Sequence, residues 1–267
     1  MDDITPAQWV EYEDQGFLRL GSLDHETLSR LRNRIDDIMM GKADVDYDRM
    51  LMQLNSEDGA YGKIGQQSKG HKGATLAYRK IQDLEWDPVF LEYIQRPLWR
   101  DICDRVYGSG TRIACNRAMF MNKPANFGTF LRWHQDRWPI LDQDPKLTIY
   151  TALDTANAEN GCMRIVPGFH RTILNPEAKA GTLSDEMVSA LPEDGVMNLE
   201  LEAGEVVMLH NWLPHSSGAN RSENARRAFS VCYQDATTVD DSGETYQVVF
   251  GDGALTREVI GSGRQNP

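Results

Sequence analysis

The stretch WHQDRW, residues 133–138, places a histidine and a carboxylate two positions apart. If this stretch is an extended strand, the side chains of His134 and Asp136 project from the same face, because successive side chains alternate between faces. One imidazole nitrogen and one carboxylate oxygen can then bind a single metal ion. Together with a second histidine from a distant strand, they would form the two-histidine, one-carboxylate face that is typical of non-haem Fe(II) oxygenases.

Several histidines further along the chain could supply the missing ligand. His210 and His215 lie in the stretch MLHNWLPHSS, residues 208–217. His210 shares a strand face with Val206 and Met208 by alternation, whereas His215 follows a proline at the expected end of that strand. His170, in a predicted turn, is a third option. Periodicity alone does not choose among them.

A pair of adjacent arginines begins the stretch RRAFSVCY, residues 226–233. Alternation puts Arg226 on a face with small side chains and Arg227 on a face with bulky ones. The small side chains leave room for a ligand, and a guanidinium group can bind a carboxylate through two parallel hydrogen bonds. We therefore expect Arg226 to be the anion-binding residue and Arg227 to have a structural or surface role.

Composition limits the classes of function. The 267 residues fit one domain, and the net charge of −12 argues against nucleic acid and anionic membranes as partners. A local pair of arginines could still attract a small anionic substrate. No apolar run is long enough to cross a bilayer. The four cysteines are far apart, which predicts buried thiols in a reducing compartment and hence a cytoplasmic location.

The hydrophobic pattern changes along the chain from a helical period to a period of two. Helices are predicted to begin after Thr5, at Asp24 and at Asp87, whereas residues 42–73 read as a long loop that could form a lid. Six predicted strands follow, over residues 111–121, 146–153, 163–166, 196–201, 205–210 and 227–233. We expect a single domain, mainly β with flanking α: a helical part (about 1–107), a jelly-roll core (about 108–235) and a C-terminal tail (236–267).

Three motifs together resemble a known family. They are His134-x-Asp136, the segment ENGCMRIVPGFH (residues 159–170) and the segment HSSGANRSENAR (residues 215–226). This combination is similar to the phytanoyl-CoA dioxygenase family of Fe(II)/2-oxoglutarate-dependent oxygenases. The resemblance begins at DQGF, residues 14–17, and continues to about Tyr233, so it covers most of the chain.

The resemblance implies a double-stranded β-helix with one iron ion bound by His134, Asp136 and His215, which selects His215 over His210. It implies that Arg226 binds the distal carboxylate of 2-oxoglutarate. The other residues that it assigns to co-substrate binding are Ser217, Lys80, Met119, Gln135 and Tyr150. Tyr150 stands where the phytanoyl-CoA enzyme has a tryptophan, which keeps an aromatic wall and changes its hydrogen bonding.

The implied reaction uses O2 to hydroxylate an unactivated C–H bond of a small-molecule metabolite, while 2-oxoglutarate is decarboxylated to succinate and CO2. Ascorbate is an expected stimulant. Because Asp136 is present, halogenation, in which a small residue replaces the carboxylate, is not expected. The alternatives are a same-fold enzyme that performs desaturation, epimerisation or ring chemistry, and a non-catalytic barrel that binds a metal or a small molecule. The residues do not specify the substrate or the oligomeric state.

Overall fold

The computed structural model describes residues 1, 3–56, 60–178 and 181–262. Its helices are α1 Pro6–Gln15, α2 His25–Met39, α3 Pro88–Ile94, α4 Pro97–Tyr107, α5 Asp185–Ser189 and α6 Arg257–Ser262. Its strands are β1 Phe17–Ser22, β2 Leu51–Leu54, β3 Ser68–Lys69, β4 Tyr78–Gln82, β5 Ile113–Lys123, β6 Leu131–His134, β7 Leu147–Ala152, β8 Met163–Ile165, β9 Met197–Leu199, β10 Glu205–His210, β11 His215–Ser217, β12 Arg226–Asp235 and β13 Gln247–Phe250.

The strands from β5 to β12 form two facing antiparallel sheets. The order β10-β7-β12-β5 makes the centre of a large sheet, and the order β6-β11-β8-β9 makes a small one. Along the chain the strands pass back and forth between the two sheets, and only β8 and β9 follow each other within the same sheet. This path is that of a jelly roll, so the predicted double-stranded β-helix is confirmed.

The large sheet also takes strands from both ends of the chain. Strand β1 pairs with β10, while β4, β2 and β3 extend the sheet beyond β5, which also pairs with β13. The prediction of one continuous loop over residues 42–73 was therefore wrong, because β2 and β3 lie within it. These strands of four and two residues are too short to show a clear alternation in sequence. The N-terminal part, which was predicted to be helical, also contains strands β1 to β4. The C-terminal tail contains strand β13 and helix α6.

The outer face of the large sheet is covered by helices. Helix α2 begins where Asp24 accepts a hydrogen bond from the backbone N–H of Thr27 at 2.7 Å, as the N-cap pattern predicts. Its buried residues Leu31 and Ile35 join a core that includes Phe229 of β12. Burial of each such side chain contributes roughly 1.5–3 kcal/mol. The helices therefore cover the outer face of the large sheet, and its inner face lines the space between the two sheets.

The cysteines behave as the sequence predicts: Cys103, Cys115, Cys162 and Cys232 are buried free thiols. Over the described ranges, none of the helices combines the length and the apolar character that crossing a bilayer requires. The polar sequence after Gly261 predicts a loosely held end, and from residue 263 onward it lies outside the described part of the chain.

Candidate active site

Strand pairing brings the two histidines together. His134 ends β6 and His215 begins β11, and the antiparallel register makes them direct cross-strand neighbours, with ring centroids 4.1 Å apart. The backbone N–H of Asp136 donates to the carbonyl oxygen of Asn211 at 2.7 Å, which holds the chain after β6 against the segment that leads to β11. One potential ligand atom from each of His134, Asp136 and His215 lies within 4.8 Å of the others.

His210 takes no part in this group. Its Nδ1 accepts a hydrogen bond from the backbone N–H of Trp212 at 3.1 Å, and its ring centroid lies 5.1 Å from that of His170. Burial lowers the pKa of His210 to about 4, so the ring is neutral at neutral pH. Among the described residues, the structure therefore groups His215, and not His210, with His134 and Asp136.

Backbone hydrogen bonds set the orientation of both imidazole rings. The Nδ1 atom of His134 lies 2.9 Å from the carbonyl oxygen of Arg132, and that of His215 lies 2.9 Å from the carbonyl oxygen of Leu213. Because a carbonyl can only accept, each Nδ1 carries the hydrogen and each Nε2 keeps a free lone pair. Burial, followed by the charge of His215, lowers the pKa of His134 to about 3. The neutral form that binds metal ions is thus the stable one.

Asp136 is held as a carboxylate by Arg117 of β5. The Nη2 atom of Arg117 donates to Oδ2 of Asp136 at 3.1 Å, while Oδ1 lies 3.8 Å from Nε2 of His134. Burial raises the pKa of Asp136, but the charge of Arg117, with smaller contributions from His215 and His134, outweighs that effect and lowers it to about 2. One carboxylate oxygen therefore faces the histidines and the other faces the guanidinium group.

Arg117 is a site residue that the motifs do not identify. The available signal was the alternation of β5, because Arg117, Met119 and Met121 share one face of that strand. Because Met119 was predicted to contact the co-substrate, alternation would have placed Arg117 on the same cavity-facing side of β5.

A cavity of about 90 Å³ lies between the sheets beside this group. Its polar lining residues are Lys80, Arg117, His134, Asp136, Thr148, Tyr150, His215, Ser216, Ser217, Arg226 and Ser230. Its apolar lining residues are Met119, Met121, Leu131, Met163 and Leu209.

Arg226 lines the cavity, and its Nε donor is free. Its Nη1 donates to the hydroxyl of Tyr150 at 2.9 Å and its Nη2 to the carbonyl oxygen of Gly161 at 3.1 Å. Its Nε is buried and has no hydrogen-bond partner. Both acceptors are neutral, so these contacts do not balance the positive charge of Arg226, which is only 6% exposed. A carboxylate is the ligand that would satisfy both the free donor and the charge.

The neighbouring Arg227 projects from the opposite face of β12, as alternation predicts. Its Nε lies 2.8 Å from Oδ2 of Asp154, and its Nη1 lies 2.6 Å from Oδ1 of Asp36. These two carboxylates already balance its charge. The placement of the two arginines therefore agrees with the roles that the sequence predicts for them.

The remaining predicted site residues divide into two groups. Lys80, Met119, Tyr150 and Ser217 line the cavity. The side chain of Lys80 projects from β4, and burial lowers its pKa to about 7.

Gln135 is not among the described residues that line the cavity. Its side-chain amide donates to the carbonyl oxygens of Thr172 at 2.8 Å and Trp212 at 2.6 Å. Its amide oxygen accepts from the backbone N–H of Leu174 at 2.7 Å. Alternation turns it away from His134 and Asp136. Its side chain thus contacts two backbone segments near the site, residues 172–174 and Trp212, and this position does not support the expected contact with the co-substrate.

Comparison with known proteins agrees with the fold and the motifs. Residues 12–228 match the model of the family described as Phytanoyl-CoA dioxygenase (PhyH). The chain is 29% identical over 246 residues to a Caenorhabditis elegans protein named probable phytanoyl-CoA dioxygenase, covering 86% of this chain and 75% of that protein. It is 25% identical over 240 residues to 2-aminoethylphosphonate dioxygenase of an uncultured bacterium, covering 87% and 82%.

Among solved structures, EctD from S. alaskensis with bound Fe has a TM-score of 0.69 at 17% identity, covering 95% of this chain and 82% of that one. This likeness shows a shared fold. The family model spans most of the sequence, including all three motifs. This chain therefore belongs to the phytanoyl-CoA dioxygenase family and is an oxygenase.

Proposed function

We propose that this chain is an Fe(II)/2-oxoglutarate-dependent dioxygenase that hydroxylates an unactivated C–H bond of a small-molecule metabolite. The observation that supports it most directly is the grouping of two imidazoles and one ionised carboxylate beside a cavity that also contains an uncompensated arginine. The donor set fits Fe(II), which accepts mixed nitrogen and oxygen ligands and leaves positions open for substrate chemistry in such sites.

His134 and His215 would hold the metal through Nε2, and Asp136 through the oxygen that faces them. The backbone carbonyls that accept from Nδ1 keep both rings in the required tautomer, and Arg117 keeps Asp136 ionised. When bound, Fe(II) and 2-oxoglutarate supply with O2 the oxidation in which the co-substrate becomes succinate and CO2 and the substrate carbon gains a hydroxyl group.

Arg226 would bind the distal carboxylate of 2-oxoglutarate with its free Nε and a remaining terminal hydrogen. Tyr150 and the Gly161 carbonyl hold the guanidinium group in place for this contact. Ser217 would add a hydroxyl donor, and Lys80 and Met119 line the same space. The apolar side chains Leu131 and Leu209 also line the cavity and would help to exclude water, which would strengthen each of these electrostatic contacts.

The test is a turnover assay with purified protein, Fe(II), ascorbate, 2-oxoglutarate and a panel of metabolites, in which succinate formation and product mass are measured. Hydroxylation adds one oxygen atom to the substrate. Desaturation or ring closure removes two hydrogen atoms, and epimerisation leaves the mass unchanged, so the product identifies the reaction. A protein that binds metal and 2-oxoglutarate but forms no succinate with or without substrate would instead be a non-catalytic binding barrel.

We further propose that the whole chain acts as a single dioxygenase domain in the cytoplasm. Support for a single domain comes from the large sheet, which includes strands from the first residues of the chain (β1) and from its C-terminal part (β13). Imaging of the tagged full-length chain in its own cell tests the location.

A further inference from the structure

We propose that Arg117 binds an oxyanion, a carboxylate or a phosphonate, on the primary substrate; this inference rests on the proposed function, in which Arg226 is occupied by 2-oxoglutarate. The substrate would then be a small anionic molecule whose charged group fixes the orientation of the carbon to be oxidised. The contacts, the position and the charge balance of Arg117 support this role.

Arg117 and Arg226 lie at opposite ends of the inner face of the large sheet. Arg226 pairs with Lys123 of β5, whereas Arg117 pairs with Cys232, six residues further along β12. At about 3.3 Å per residue, the two levels are roughly 20 Å apart along the strand. The guanidinium of Arg117 reaches Asp136 of the proposed metal group. Arg117 is therefore available to a second ligand when Arg226 holds the first.

The guanidinium of Arg117 retains free hydrogen-bonding capacity. Its Nη2 donates to Asp136, whereas its Nε is buried and has no hydrogen-bond partner. The side chain as a whole is 19% exposed. A buried donor without an acceptor is unfavourable, and a ligand oxygen would satisfy it. The ring of Trp138 lies 4.9 Å from the guanidinium carbon and restricts the plane of the group. The free donor is thus held in a defined direction.

The charges of the cavity are unbalanced. Among its described lining residues, Arg117 and Arg226 are cationic groups and Asp136 is the one carboxylate, while burial lowers the pKa of Lys80 to about 7, so that it is charged only in part at neutral pH. A divalent metal ion and the dianion of 2-oxoglutarate cancel each other, so the excess of positive charge remains after both have bound. A neutral substrate would leave this excess in a poorly solvated space, whereas an anionic substrate would neutralise it.

A purely positioning role for Arg117 predicts a different result. If Arg117 acted only by orienting Asp136, its removal would weaken metal binding and would affect charged and neutral molecules equally. The test must therefore measure ligand charge preference separately from metal affinity.

The experiment uses Mn²⁺-loaded protein with saturating 2-oxoglutarate and no O2, and follows by NMR the paramagnetic relaxation of probe protons. The probes are butanoate, the neutral butyramide of the same shape, and propylphosphonate. The variants are Arg117→Gln, Arg117→Lys and the control Arg164→Gln. The exposed guanidinium of Arg164 lies 5.4 Å from the ring centre of Trp133, and Arg164 is not among the cavity residues. Mn²⁺ affinity is measured for each variant by EPR, and Mn²⁺ is kept saturating.

In the wild type and in Arg164→Gln we expect stronger relaxation of an anion than of butyramide. In Arg117→Gln the affinity for that anion should fall about 10- to 100-fold, the usual effect of losing a charge-assisted hydrogen bond. Arg117→Lys keeps the positive charge but loses the paired donors of the guanidinium group, so its affinity for the anion should lie between those of the wild type and Arg117→Gln. If butanoate is the anion that binds more tightly than butyramide, the substrate carries a carboxylate; if it is propylphosphonate, the substrate carries a phosphonate. Equal binding of charged and neutral probes by the wild type, or unchanged preference in Arg117→Gln, would overturn the proposal.

The two proposals fail separately. If the wild type binds neither Mn²⁺ nor 2-oxoglutarate, the proposed function is wrong. The comparison of butanoate with butyramide is then repeated on the metal-free protein by saturation-transfer NMR, where loss of the anion preference in Arg117→Gln still tests the anion site.

Discussion

Replacing Arg226 by glutamine should weaken 2-oxoglutarate binding and leave the fold largely intact. In the wild-type protein, Tyr150 and the Gly161 carbonyl accept from two of its nitrogens, and Nε remains free for a ligand. A hydrogen bond to a charged partner contributes about 1.5–3 kcal/mol. Loss of two such bonds to a carboxylate therefore costs at least about 3 kcal/mol, which corresponds to an increase of about 100-fold in the dissociation constant.

The adjacent Arg227 provides a matched control. It is the same residue type on the same strand, but it binds Asp154 and Asp36 on the outer face. Arg227→Gln should lower the free energy of unfolding by about 1–3 kcal/mol, because its partly buried partners lose their cation. It should leave 2-oxoglutarate binding unchanged.

The assay is anaerobic calorimetric titration of 2-oxoglutarate into the Mn²⁺-loaded variants, with urea unfolding of each variant measured in parallel. Comparing the two variants removes general effects of lost charge, since each loses one guanidinium group. The reasoning would be refuted if both variants lost co-substrate affinity to the same extent, or if Arg226→Gln bound 2-oxoglutarate as tightly as the wild type.

Three further predictions concern the residues around the proposed metal. Asp136→Ala should abolish turnover and weaken Mn²⁺ binding by more than about 100-fold, since removing a residue that only hydrogen-bonds to a metal ligand commonly lowers metal affinity by about 10- to 100-fold. The circular dichroism of the variant should match that of the wild type. Turnover at the wild-type rate would contradict the proposed metal site. His134 has a folded-state pKa of about 3 against an ordinary value of 6.5, so the unfolded chain binds the proton first as the pH falls. The free energy of unfolding of the metal-free protein should therefore decrease by about 2 kcal/mol between about pH 6.5 and about pH 5, and His134→Asn should remove that part of the slope in urea titrations. Gln135→Ala should lower the free energy of unfolding by about 3 kcal/mol, because three partly buried backbone groups lose their hydrogen-bond partners, and 2-oxoglutarate titration should show unchanged affinity; the opposite pattern would restore its role as a co-substrate contact.

Local patterns predicted the faces of the strands well. The opposite placement of Arg226 and Arg227 follows from alternation along one strand, and it needs no knowledge of the neighbouring strands. The same rule would have placed Arg117 beside Met119, although no motif identified it. The failure over residues 42–73 has a different cause. Strands β2 and β3 are stabilised by pairing with β4 and with each other, and their own sequences show little alternation.

By itself, the sequence determined which side chains share a face, where helices begin, which family the motifs indicate and which residue types are available for chemistry. These are local properties, because side-chain direction and capping depend on residues a few positions apart. The family resemblance already selected His215 over His210, but only the tertiary structure showed that its ring lies beside that of His134, that Arg117 reaches Asp136, and that Gln135 binds backbone outside the cavity. These contacts depend on the register between strands that are distant in sequence, and that register is set by burial of the whole sheet.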